Sequence, residues 1–175
     1  MVSLSTVTLG VCHLLSLKSS LGRMFKRTLD ILFSLGVLIL GFPVFLFIAL
    51  LIKTTSQGPI FYVQERIGRN YKYFGCIKFR TMSEDADTLL FDVLAKSTSM
   101  KEEFERDFKL KQDPRVTTIG KILRRSSLDE LPQFINVLLG EMSLVGPRPI
   151  VSKELSRYGK HMDEIISVRP GLTGL

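Results

Sequence analysis

The chain has 175 residues, 45% apolar and 23% charged. That is one domain's length with enough apolar surface for a core, which excludes a disordered or low-complexity chain. Twenty-four Lys and Arg against seventeen Asp and Glu leave a net charge of +7, a balance that suits nucleic acid, an acidic membrane face or a phosphorylated substrate. The two cysteines, Cys12 and Cys76, are too few for a disulfide scaffold, form no Cys-x-x-Cys zinc spacing and read as free thiols.

Residues 1–23 carry little pattern and read as an unassigned N-terminal extension, with Met24-Phe25-Lys26-Arg27 as a natural start. Residues 24–53 then form a membrane segment, because Ile31 to Ile52 runs without a charge. As one helix this run would measure roughly 33 Å, about the hydrocarbon thickness of a bilayer. It is too long for a signal-peptide core and no small-residue cleavage site follows it. Gly41-Phe42-Pro43 interrupts it, so the segment is either a kinked span or a re-entrant helix-break-helix. Arg23, Lys26 and Arg27 precede it and Lys53, Arg66 and Arg69 follow it. Basic residues on both flanks favour re-entrance, since a span normally shows asymmetry.

Residues 54–175 read as the soluble part. Ser56-Gln57-Gly58-Pro59 is a turn signal, Ile60 to Gln64 a strand, Ile67 to Asn70 a hairpin turn and Tyr71 to Phe79 a second strand. Ser83 is placed to cap an acidic helix that begins Glu84-Asp85-Ala86-Asp87. Further helices are expected over Lys101 to Lys111, Thr118 to Arg125, Ser127 to Leu139 and Glu154 to Ile166, with a rigid Pro-Arg-Pro loop at 147–149. The expected fold class is α+β, a helix-rich membrane-associated domain with a small β-hairpin.

Asp129 and Glu130 are the first candidates for chemistry. Ser127 and Glu130 have capping-box spacing, which puts both acids in a first helical turn, where the dipole favours an ionised carboxylate fit to be a nucleophile or metal ligand. Pro132 is tolerated only near a helix start, so that helix could begin a residue later. The alternative is that the acids merely cap a helix. Arg115, Lys121, Arg124, Arg125 and Arg148 surround the pair in sequence, and Gln64, Arg66, Lys78 and Arg80 form a second basic group. Guanidinium forks bind a diphosphate well, and a magnesium ion shared between carboxylate and phosphate oxygens would complete a phosphoryl-transfer site. Attraction to anionic lipid is the plainer explanation of the same charges. His13 and His161 are isolated and read as incidental. No P-loop, Gly-x-Ser-x-Gly or dinucleotide fingerprint occurs.

In order along the chain, Lys26-Arg27-Thr28-Leu29-Asp30, Gly58-Pro59-Ile60-Phe61-Tyr62-Val63-Gln64-Glu65-Arg66-Ile67-Gly68 and Lys78-Phe79-Arg80-Thr81-Met82 are followed by Asp113-Pro114-Arg115-Val116-Thr117 and Ser127-Leu128-Asp129-Glu130-Leu131-Pro132-Gln133. Met142 to Pro149 and Arg169-Pro170-Gly171-Leu172-Thr173-Gly174-Leu175 complete the set. Together they resemble the bacterial sugar transferases, the monotopic polyprenol-phosphate phosphoglycosyl transferases that initiate glycan assembly.

The resemblance implies transfer of a sugar 1-phosphate from a UDP-sugar to polyprenol phosphate with release of UMP, at the cytoplasmic face of a bacterial inner membrane. It implies a covalent intermediate on Asp129, which also ligates Mg²⁺, with Glu130 handling a proton in the second half-reaction. Lys78 and Arg124 resemble phosphate-contacting positions and Arg148 a nucleotide-proximal arginine; Arg80 and Arg115 join the expected phosphate-binding set. The family's proline-broken segment is re-entrant. Its members continue past Pro-Gly-Leu-Thr-Gly, which implies a C-terminal truncation here. The competing expectation is a basic, membrane-docked interaction module without activity. Nucleic acid is not expected as a partner.

Overall fold

The apolar run folds as two helices with a break at Gly41. In the computed structural model, which describes residues 20–107, 110, 112–155 and 162–174, α1 covers Ser20–Leu40 and α2 covers Phe42–Thr55. Pro43 falls in the first turn of α2, where no helix bond is asked of its nitrogen, while its ring would clash with a helix continuing from α1. The two helices are bent by 60°. No single described helix is long and apolar enough to cross a membrane; the bent pair together has the length and composition, as a broken span or a re-entrant loop would. Leu32, Phe33, Ile39, Leu40, Phe42, Phe47 and Leu50 are all more than half exposed, an apolar surface far larger than an ordinary soluble domain leaves bare.

Strands β1 (Phe61–Ile67) and β2 (Tyr73–Phe79) pair as the expected hairpin, joined by a turn at Arg69–Tyr71 in which Asn70 and Tyr71 adopt φ of 55° and 59°. Helices α3 (Ala86–Lys96), α4 (Thr98–Asp107) and α5 (Thr118–Arg125) follow. Then come a 3₁₀ turn at Leu128–Glu130, α6 (Gln133–Leu139), β3 (Ser143–Val145), a 3₁₀ turn at Ser152–Glu154, α7 (Met162–Ile166) and β4 (Gly171–Thr173). The mixed, helix-rich architecture agrees with the α+β expectation.

Three local expectations are corrected. Ser127 to Leu139 is not one helix. A helix starting at Leu128 would need Pro132 to donate its second i→i−4 bond, to Leu128 O, and proline has no N–H. Tighter bonds form instead, Glu130 N to Ser127 O at 3.2 Å and Leu131 N to Leu128 O at 3.3 Å, and α6 starts only after Pro132. Ser127 is left-handed at φ 57° and makes no capping bond, so there is no capping box. Likewise Asp85, not Ser83, occupies the cap position of α3, without a side-chain cap bond. The expected helix over 154–166 is a 3₁₀ turn and the short α7, with residues 156–161 outside those described, as are His13, His161 and Cys12. The parallel pair β3–β4, in register Ser143↔Gly171 and Val145↔Thr173, was not anticipated, because three-residue strands amid Gly and Pro carry no periodicity.

The chain divides into two compact units. The first comprises the chain up to Pro43, Val63–Lys78 and the chain from Pro132. Its interior holds two clusters, Ile67, Ile150, Met162 and Ile166 in one and Phe74, Cys76, Val137 and Met142 in the other, Cys76 being a fully buried free thiol. Polar side chains fix its geometry. Arg27 donates to the last carbonyls of α6, Val137 O at 2.6 Å and Leu138 O at 2.9 Å, and Asn136 joins α6 to β2 through Ile77 N and Gly75 O. Asp30, 5% exposed, accepts from Ser143 Oγ at 2.8 Å, Lys26 Nζ at 3.2 Å and Leu144 N at 3.3 Å, holding α1 to β3.

The second unit comprises Val44–Tyr62 and Phe79–Leu131. Its core is Ile48, Ile52, Phe79 and Leu123, with Phe45, Ile60, Ile119, Leu128 and Leu131 packed around them. Helix α5 thus lays its apolar stripe on the inner side of α2.

Candidate active site

The second unit carries both acids. Asp129 is buried at 8% exposure and Glu130 half-buried, in the 3₁₀ turn between α5 and α6. Leu128 and Leu131 on either side enter the core that contains Ile48 and Ile52 of α2, so apolar packing sets the height of the acids against that helix.

The segment after β2 organises the basic side chains. Thr81 accepts at its carbonyl from Thr117 N at 3.0 Å, and Met82 pairs antiparallel with Val116. Thr117 then caps α5, its Oγ1 accepting from Gly120 N at 2.9 Å. Gly120 lies so close to Thr81 that a Cβ would overlap the Thr81 carbonyl. From the last turn of α5, Arg124, an exposed residue, donates Nε to Thr81 Oγ1 at 2.9 Å, which fixes the direction of its guanidinium. Arg115 forms a bidentate pair with Asp113, Nε to Oδ1 at 2.8 Å and Nη2 to Oδ2 at 2.7 Å. Burial opposes ionisation of Asp113, but the hydrogen bonds from Arg115 and the charges of Arg115 and Arg124 outweigh it and hold the carboxyl below its usual range. Arg80 turns its Nη2 to Ser56, at 3.0 Å from the carbonyl and 2.8 Å from Oγ.

Lys78 and Arg148 belong to the first unit. Arg148 is exposed in the loop after β3 and lines a small depression with Ile67, Gly68, Val168 and Pro170. Arg66, buried, holds that loop by donating Nη1 to Pro149 O at 3.0 Å and Nη2 to Gln64 Oε1. Within the second unit, then, Arg115 and Arg124 converge near Asp113, and α5 leads from Arg124 into the turn of Asp129 and Glu130.

Sequence reasoning did not single out Asp113, Thr81 or Thr117, which position the arginines. Asp-Pro-Arg spacing at 113–115 was the available signal for the first. Among the described residues no three His, Cys, Asp or Glu form a metal cage. A magnesium ion usually takes one or two carboxylates together with substrate phosphates, so the adjacent acids suit a cation shared with a diphosphate.

The profile of the family described as bacterial sugar transferase matches residues 21–175. Over 153 residues the chain is 47% identical to the undecaprenyl-phosphate galactose phosphotransferase of Salmonella typhimurium, covering 87% of this chain and 32% of that protein. It is 45% identical over 155 residues to the exopolysaccharide production protein ExoY of Sinorhizobium fredii, covering 89% and 69% respectively. With the UDP-galactose-lipid carrier transferase of Erwinia amylovora the identity is 43% over 153 residues, covering 87% and 32%. The chain therefore spans about a third of some of these relatives and about two thirds of another. The match of one family profile across nearly all of the described chain, over the same segments that build the acid turn and its arginines, places this protein in the bacterial sugar transferase family.

Proposed function

We propose that the chain carries the catalytic segment of a phosphoglycosyl transferase that moves a sugar 1-phosphate from a UDP-sugar to undecaprenyl phosphate, an early membrane step of exopolysaccharide assembly. The observation that carries this reading is the setting of Asp129: a buried carboxylate in a turn that begins four residues after Arg124 and packs, through its leucines, on the apolar helix α2. A lipid-linked phosphate at a membrane surface is the kind of acceptor such a carboxylate would meet. The names of the Salmonella and Erwinia relatives support the lipid carrier and the UDP-sugar.

In the first half-reaction an Asp129 oxygen attacks the β-phosphorus of the UDP-sugar. The bond from that phosphorus to the oxygen bridging to the α-phosphate breaks, and UMP leaves with the electron pair. The product is an aspartyl phosphosugar. In the second, an oxygen of the polyprenol phosphate attacks the same phosphorus, the acyl-phosphate bond breaks and the carboxylate returns. Glu130 takes the proton of an incoming monoprotonated phosphate. Arg124 offsets the charge of the diphosphate. Asp129 would hold Mg²⁺ together with phosphate oxygens, and the ion supplies further charge neutralisation. The bent pair α1–α2 inserts as a re-entrant hairpin, leaving the chemistry on the cytoplasmic face of the inner membrane.

The test is incubation of the protein with Mg²⁺ and UDP-sugars radiolabelled in the sugar, without lipid acceptor. Label should appear on Asp129, be chased by polyprenol phosphate, and be absent in Asp129→Asn. Turnover without any labelled enzyme, under sequential kinetics, refutes the covalent route. No UMP release with any UDP-sugar favours the inactive membrane-docked module instead.

A further inference from the structure

Arg80 is set apart by its surroundings. It is 7% exposed, and its neighbour Thr81 is equally buried. Successive residues of an extended chain face opposite ways, and the two side chains do so: Arg80 reaches Ser56 and Thr81 reaches Arg124. Ser56 closes the last turn of α2, its N–H bonded to Ile52 O at 3.0 Å. Arg80 therefore places its positive charge on a carbonyl at the negative end of that helix. The following turn is shaped around the guanidinium. Gly58 has φ 101°, and any Cβ there would overlap Nη1 of Arg80. Nε and Nη1 of Arg80 are buried without a hydrogen-bond partner among the described residues. Leaving them so costs free energy, which a side chain present only to bridge two backbone segments would not require.

We infer that Arg80 is a positioning residue which couples the end of the apolar helix α2, through Thr81, to the orientation of Arg124. The sequence of contacts is Ser56 to Arg80, across the strand to Thr81, and from Thr81 to both Thr117 at the start of α5 and Arg124 at its end. How α2 sits in its surroundings is thereby passed to the side chain that meets the substrate's phosphate. This assignment rests on the transferase reading for what Arg124 does, and on geometry alone for the coupling. It differs from the expectation that Arg80 itself binds phosphate.

The experiment uses the whole chain in lipid nanodiscs, comparing wild type with Ser56→Ala, Arg80→Lys, Arg124→Lys and the double variant Arg80→Lys/Arg124→Lys. Arg80→Lys keeps the charge but loses the planar fork. Ser56→Ala removes one acceptor and leaves Arg80 in place. Two readouts are taken, hydrogen exchange at the amides of Ser83 and Thr117, which donate to Arg115 O at 2.9 Å and Thr81 O at 3.0 Å, and UMP release from a UDP-sugar. Exchange at both amides should rise at least tenfold in Arg80→Lys and measurably in Ser56→Ala. The kcat of Arg80→Lys should fall about tenfold, with KM for the UDP-sugar within twofold of wild type. In the Arg124→Lys background, Arg80→Lys should cost less than a further twofold, because the link it supports is already gone. Multiplying losses together with a raised KM would make Arg80 a direct phosphate ligand and overturn the inference. Multiplying losses with an unchanged KM would reduce it to general structural support, which also overturns it. Unchanged exchange at Ser83 and Thr117 in both Ser56→Ala and Arg80→Lys overturns it whatever the kinetics. Absence of turnover in the wild type counts against the transferase reading alone, since the exchange measurement still decides the coupling.

Discussion

Replacing Gly120 by Ala should destabilise this protein, against the usual trend for a glycine inside a helix. In an exposed helix that change is worth about 1 kcal/mol in favour of the fold. At Gly120 the new methyl group would overlap the carbonyl carbon and oxygen of Thr81 and lie 2.9 Å from Thr117 Oγ1. Backbone cannot swing aside as a side chain would, so the overlap costs about 1–3 kcal/mol. As α5 backs away it also weakens the bonds of Thr117 N and Arg124 Nε to Thr81, 3.0 and 2.9 Å long, each worth about 1 kcal/mol. The net loss is about 2–4 kcal/mol, or roughly 4–16 °C in melting midpoint for a chain of this size. Gly36 provides the control, since a Cβ there meets nothing within 4 Å, and Gly36→Ala should be neutral or slightly stabilising. The assay is thermal unfolding of both detergent-solubilised variants beside the wild type. If Gly120→Ala melts at or above the wild-type temperature, α5 does not rest on Thr81 as described.

Asp30→Ala should cost about 1–3 kcal/mol, because Lys26, the buried Ser143 and Leu144 N lose their shared acceptor and Lys26 and Ser143 are left only with each other; denaturant titration measures the loss, and a loss under 0.5 kcal/mol, the usual range for a surface change, would contradict the contact. Asp113 titrates below its unfolded value, so its contribution is present above about pH 4 and disappears as pH falls through the folded value. Asp113→Asn should therefore be less stable at pH 7 and show a flatter stability profile between pH 5 and acid unfolding, and an unchanged profile would exclude Asp113 as its source. Single cysteines placed near Arg23 and near Lys53 should both resist a membrane-impermeant thiol reagent added from the periplasm; labelling at one end only would establish a span rather than a re-entrant hairpin.

The apolar run, its break and the hairpin were written locally. An uncharged run, a proline in its middle and alternating residues around a Gly-containing turn each act within a few residues, and α1, α2, β1 and β2 follow them closely. Helix α5 was also plain, since the apolar Ile119, Ile122 and Leu123 and the terminal Arg124 and Arg125 coincide over Thr118–Arg125. Asp129 and Glu130 were recognisable as an adjacent pair, but their turn was not. Capping-box spacing pointed to a continuous helix, and the missing N–H of Pro132 decided for a 3₁₀ turn. Tertiary structure alone determined which arginine does what. Arg80, Arg115 and Arg124 look alike in sequence, yet one is engaged by Ser56, one by Asp113 and one by Thr81. Those partners lie 24, 2 and 43 residues away. Only the packing of α5 and α2 around Phe79 and Leu123 brings the distant ones within reach. The same holds for β3 and β4, whose pairing joins Ser143 to Gly171. A three-residue strand is not stable or recognisable by itself; its partner, supplied from elsewhere in the chain, makes it one.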